Sequence, residues 1–179
     1  MLRLLFILIL FFSLTFEAHG ASDGTEGATS TGSFDVSVEI PPRVRISGVA
    51  DIAFGTWSGT GNLSQSDDVC IYSSEASGLY AVTVTGSGPS GSFELSDGGS
   101  GTIPFSVAWN DQTGTTGNSA VSATTPLTSQ SGACDKSTSC SSGCGSNNAN
   151  FEVTIDQSDL ASATTGSYSA TISILIEAE

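Results

Sequence analysis

Histidine is almost missing from this chain. The single one, His19, falls in a segment that the first residues mark for removal. Arg3 gives a positive head, and residues 4–14 form an apolar run of the length of a secretory h-region. Ala18-His19-Gly20 places small residues at the two positions a signal peptidase reads, so cleavage is expected after Gly20 and residues 1–20 are a signal peptide. A membrane anchor is the competing reading, but the run is short for a bilayer. With His19 gone, Ser-His-Asp and Cys-His mechanisms and His-ligated metal sites are excluded.

Positive charge is the second shortage. Four Lys and Arg stand against 18 Asp and Glu, for a net charge of −14. Beyond the signal peptide only Arg43, Arg45 and Lys136 are basic. A nucleic-acid partner needs a cationic surface to replace phosphate counterions, so DNA and RNA are excluded, and anionic lipid with them. Charged residues of both signs make up only 12% of the chain, about half the usual share. No second apolar run of spanning length follows the first, and no cofactor motif is present. An acidic surface suits an extracellular protein that must not stick to itself.

What remains, about 159 residues after removal of the first 20, is enough for one domain with one core. Residues 21–32 are small and polar and read as a flexible leader. Phe34, Val36, Val38 and Ile40 then alternate with Asp35, Ser37 and Glu39, which predicts a strand over 33–40 with one apolar face. Pro41 and Pro42 remove two amide donors and cannot sit in a central strand, so they form a stiff hinge. Val44 and Ile46 open a short second strand.

Further strands are expected at 52–57, 69–72, 79–85, 92–95, 103–109, 121–127, 151–155 and 168–176, with a single helical turn near 158–163. Their spacing is that of an all-β sandwich over 41–179. In the last of them Tyr168, Ala170, Ile172, Ile174 and Ile176 share one face. The four cysteines (Cys70, Cys134, Cys140, Cys144) form an even set, read as two disulfides in an exported chain. A zinc site is the competing reading, since Cys140 and Cys144 lie close together.

Several short motifs stand in a fixed order: Ile52-Ala53-Phe54-Gly55-Thr56-Trp57, Asp68-Val69-Cys70-Ile71-Tyr72, Gly78-Leu79-Tyr80 and Pro104-Phe105-Ser106-Val107-Ala108-Trp109. Asn148-Ala149 and then Leu160 leading into residues 166–174 complete the series. In order and spacing they resemble the spore coat protein U-like family, which is similar to subunits of archaic chaperone–usher pili. The resemblance covers residues 34–179. It implies an incomplete immunoglobulin-like β-sandwich, completed by donor-strand exchange. A periplasmic chaperone would fill the gap first. At an outer-membrane usher, the N-terminal strand of an identical or related subunit would replace it, giving a homopolymer on the cell surface, either pilus or coat layer.

On that resemblance Phe34, Val36, Val38 and Ile40 are the donor plugs, Pro41 and Pro42 the hinge, and Tyr168, Ala170, Ile172, Ile174 and Ile176 one wall of the acceptor groove. It also implies pairing Cys70 with Cys144 and Cys134 with Cys140, with a stapled surface loop over 132–147. The chain departs from the pattern in having no cysteine in the first body strand near Val44.

Other readings compete. Asp67, Asp68, Asp97, Asp111, Asp156 and Asp159 could supply an acid and a nucleophile for glycoside hydrolysis, and the Asp67-Asp68 or Asp97-Gly98-Gly99 turns could bind calcium, but they stand in turn contexts where Asp caps the backbone. Enzymatic activity is therefore not expected. Trp57 and Trp109 could form a sugar platform, although their strand contexts favour core positions. The Asn62-Leu63-Ser64 sequon reads as a chance match in a bacterial chain. The main alternative function is a secreted monomeric carbohydrate-binding or adhesin β-sandwich module.

Overall fold

The computed structural model describes residues 21–75, 77–134 and 146–179. The expected signal peptide, Cys140, Cys144 and most of the 132–147 loop lie outside the described residues.

Two compact units divide the chain, one ending at Ile40 and one running Pro41–Glu179. In the first, Ser22 and Ser33 form an isolated antiparallel bridge, with both N···O distances 3.0 Å and the hydroxyls 2.8 Å apart. The polar leader is thus closed into a loop rather than left fully extended. Residues 34–40 belong to no strand. Alternation gives a segment one apolar face, but a strand exists only through the ladder it shares with a partner. Phe34, Val36, Val38 and Ile40 are 77, 84, 86 and 75% exposed.

Among the described residues of the second unit, the strands in chain order are β1 (Val44–Ser47), β2 (Leu63–Ser73), β3 (Tyr80–Gly86), β4 (Glu94–Ser96), β5 (Thr102–Pro104), β6 (Ser106–Asn110), β7 (Ser119–Val121), β8 (Leu127–Gln130), β9 (Ala149–Ile155) and β10 (Ile172–Ala178). One short helix, α1 (Gln157–Ser162), precedes β10. A five-stranded sheet in the order β1-β2-β9-β6-β7 pairs with a three-stranded one, β10-β3-β8, and β4-β5 form a hairpin. Every ladder is antiparallel. This is the expected all-β, immunoglobulin-like sandwich.

Period-2 alternation builds the core. Val69 and Ile71 from β2, Val107 and Trp109 from β6, and Phe151, Val153 and Ile155 from β9 face Tyr80, Val82 and Val84 of β3, all buried. Each such side chain stabilises the fold by roughly 1.5–3 kcal/mol relative to exposure. Trp109 and Tyr80 meet edge-on, with ring centroids 6.4 Å apart at 80°, and the indole N–H donates to the Tyr80 hydroxyl at 3.3 Å. Burial pushes the Tyr80 phenol up to about 12, against a smaller opposing effect of the Trp109 bond.

Asn148, flagged by its place in the motif series, substitutes for a strand. Its Oδ1 accepts from the Ile71 amide at 2.8 Å, while its Nδ2 donates to the Ile71 and Gly132 carbonyls at 2.9 Å. Beside it Cys134 makes an isolated parallel bridge to Tyr72. Cys70 and Cys134 are both disulfide-bonded, and the expected pairings with Cys144 and Cys140 lie outside the described residues.

Besides 33–40, and 92–95, which begins only at Glu94, four expected strands differ. The 103–109 run breaks at Phe105, whose amide still donates to the Phe93 carbonyl at 3.0 Å before the chain leaves the β4-β5 hairpin for the five-stranded sheet. The 121–127 run is a crossover, since β7 ends at Val121 and β8 begins at Leu127 in the other sheet, with Thr124 at φ 62° between. Of 168–176, only residues from Ile172 onward form β10; before it, Ser169 makes one bridge to Ser96. Residues 52–57 form no strand at all.

Candidate functional site: an apolar groove beside the last strand

The missing strand at 52–57 is where the sandwich opens. After β1, Gly48 takes a φ of +85°, a left-handed conformation that glycine alone adopts freely, and the chain leaves its ladder with β2. Residues 49–57 then make no backbone–backbone hydrogen bond among the described residues. Side chains fasten them instead: the Ala50 amide donates to Asp67 Oδ2 at 3.2 Å, and Gln65 Nε2 donates to the Ala53 carbonyl at 3.2 Å. The alternation is still real, because Ile52, Phe54 and Trp57 are half-buried while Asp51, Ala53 and Gly55 are exposed.

These inward residues form one wall of a groove of about 1060 Å³. The opposite wall is residues 163–174, including Tyr168, Ala170, Ile172 and Ile174. Its floor is the edge of the core, with Leu63 and Leu160 half-buried and Ile103, Phe105, Phe151, Val153 and Ile155 buried. Asp51 is the one charged residue among the described lining. Thr56, Thr164, Thr165, Ser167, Ser169 and Thr171 add hydroxyls to the otherwise apolar lining.

The walls also offer backbone. All seven residues of β10 pair with β3 on one side, and β10 is the terminal strand of its sheet. Its other edge carries no ladder among the described residues, although β1 approaches it. Tyr168 is fixed beside it, sharing a hydrogen bond of 2.9 Å with the Thr164 hydroxyl. Of the five expected groove residues, four line it. Ile176 lies deeper, 7% exposed, in the core. The wall at 52–57 was not foreseen as part of the groove, though its alternation without a partner was the available signal.

Trp57 is not a core residue. It is half-buried at one end of the groove, and its indole N–H donates to the Gly61 carbonyl at 2.9 Å. Trp109, by contrast, is fully buried, so the two indoles form no common platform.

The carboxylates are spread over separate turns. Asp97 Oδ1 accepts from the Gly99 and Gly101 amides at 2.7 and 3.1 Å, an Asx-turn. Asp68 accepts from the Gly114 amide and Asn150, Asp111 accepts from Ser131, and Asp156 accepts from Asn62. Among the described residues no group of three or more His, Cys, Asp or Glu is placed to hold a metal ion.

No family model and no curated protein sequence matches the chain. Its fold is similar to that of a chain in a solved chaperone–tip adhesin complex of CFA/I fimbriae, with a TM-score of 0.54 and 16% identity over 76% of this chain. The chain spans 41% of the length of that protein. The likeness establishes the sandwich fold.

Proposed function

We propose that this chain is a structural subunit of an exported, fimbria-like filament or coat layer, assembled by donor-strand exchange. One observation carries the reading: a single sequence holds both an apolar groove with an open strand edge and an exposed segment, 34–40, patterned as the strand such a groove takes. Inserting that segment into a second copy would bury Phe34, Val36, Val38 and Ile40 and complete a backbone ladder. The four side chains would contribute about 6–12 kcal/mol gross, before ordering costs.

Such a groove is an aggregation hazard until filled, so the route needs a periplasmic chaperone to cover it and an outer-membrane usher to exchange the cover for a neighbour. The motif resemblance to spore coat protein U-like proteins supports those partners, as does the likeness to a chain from a chaperone–tip adhesin complex. The carboxylates act as turn braces in this reading, and no catalysis is assigned to them.

Electron microscopy of material shed from cells tests it. Filaments are expected from the full chain and none after deletion of residues 21–40. Normal filaments from the deletion would end the donor-strand reading, and a stable soluble monomer from the full chain expressed alone would favour a secreted binding module.

A further inference from the structure

Arg43 and Arg45 are the only cations among the described residues of a chain with 18 acidic ones, and neither forms an ion pair there. Both are exposed. Their placement is nonetheless fixed: the Arg43 amide donates to Ser74 Oγ and its carbonyl accepts from the Ser74 amide, both at 2.8 Å, while Arg45 alternates with the inward Val44 and Ile46 of β1. They follow the last exposed plug, Ile40, by three and five residues, at most about 10 and 17 Å of extended chain.

We infer that these two arginines are the electrostatic half of the joint, and that in a neighbouring copy they meet the carboxylates at the α1 end of the groove, chiefly Asp159. This rests on the filament reading above. The direction follows from the sandwich itself. The ladders among the described residues are all antiparallel, and a guest pairing with β10 in the same way runs against it. The wall at 163–174 follows α1 directly, so β10 begins at the α1 end and the guest finishes there. Ile40 then leaves the groove at that end, with Pro41, Pro42 and the arginines behind it.

Asp159 stands there in the first turn of α1, half-buried, its carboxylate accepting no hydrogen bond among the described residues. Asp156 is exposed beside it and accepts from Asn62 Nδ2 at 3.1 Å. Copies that each carry a net charge near −14 repel one another, and two cations placed at the contact point offset that repulsion where it is greatest and steer the encounter. A guest running the other way would bring the arginines to Asp51 and Asp67 instead.

The test is the rate at which the mature full-length chain forms heat-labile, detergent-resistant oligomers, measured against salt. Arg43→Gln with Arg45→Gln is expected to slow the reaction about tenfold at low salt, with the deficit fading near 1 M. Thr113→Glu with Thr115→Glu, which makes the same change in net charge on a distant loop, should cost about twofold at most. Arg43→Glu with Arg45→Glu should be slower again, and adding Asp159→Arg should bring it back to within about threefold of the unaltered chain.

An unchanged rate for the glutamine pair, while Val38→Asp abolishes oligomers, overturns this inference and leaves the filament reading standing. Rescue by Asp51→Arg rather than Asp159→Arg overturns the assigned carboxylate and direction. If the unaltered chain forms no oligomers, or Val38→Asp forms them at the normal rate, the filament reading falls and this inference with it.

Discussion

Residues 34–40 and β10 carry nearly the same sequence pattern and meet different fates. Each sets large apolar side chains two residues apart, between small or acidic ones except for Leu175 in β10. In β10 that pattern is paired residue for residue with β3, and Ile176 is 7% exposed. In 34–40 it is paired with no described residue, and all four apolar side chains are at least 75% exposed. Alternation therefore specifies which face a segment can bury, while its partner decides whether it becomes a strand.

The largest way to break the contrast is to remove one side of it. Deleting residues 21–40 should abolish assembly while leaving the thermal transition of the Pro41–Glu179 body within a few degrees of the full chain, measured by circular dichroism. A collapse of that transition would mean that 34–40 already serves its own body. Next comes Val38→Asp, which places a carboxylate against apolar surface on insertion. It should weaken each joint by about 3 kcal/mol or more, seen as a lower dissociation temperature of oligomers, with the monomer unaffected.

Smaller changes sharpen the comparison within β10. Ile176→Ala should destabilise the monomer by about 2–4 kcal/mol, because it opens a cavity in a closed core. Ile174→Ala, on the groove wall, should cost the monomer about 1 kcal/mol and register mainly in oligomer stability. Leu175→Ser, on the outer face and 54% exposed, should change either by less than about 0.5 kcal/mol.

The smallest effect at neutral pH is that of Tyr80. Its folded-state value of about 12 lies above the ordinary 10, so its contribution is complete below pH 10 and is lost as pH rises toward 12. Denaturant midpoints should fall across that window in the unaltered chain and fall less in Tyr80→Phe.

Much of the sandwich was legible because alternation and turn residues report directly on burial. The expected strands at 69–72, 79–85 and 151–155 all lie within observed ones or within one residue of them. What misled was alternation across a crossover, as at 121–127, where Val121 and Leu127 belong to different sheets. Pro126 and the turn of Ser122 to Thr125 mark the break, but a one-dimensional pattern does not say which sheet a residue joins. Four of five residues on the β10 side of the groove were legible for the same reason the strand was. The opposite wall was harder, since 52–57 carries a strand's pattern and only its missing ladder sets it apart.

Gly48 has a wider consequence. Its left-handed turn lets one stretch of chain begin in the ladder with β2 and continue as the loose lip opposite β10. Straightening that one residue would extend β1 along β2 and take the lip away from its place opposite β10. Any β-branched residue at this position favours that straighter course, so the departure of residues 49–57 from the sheet is held by the absence of one side chain.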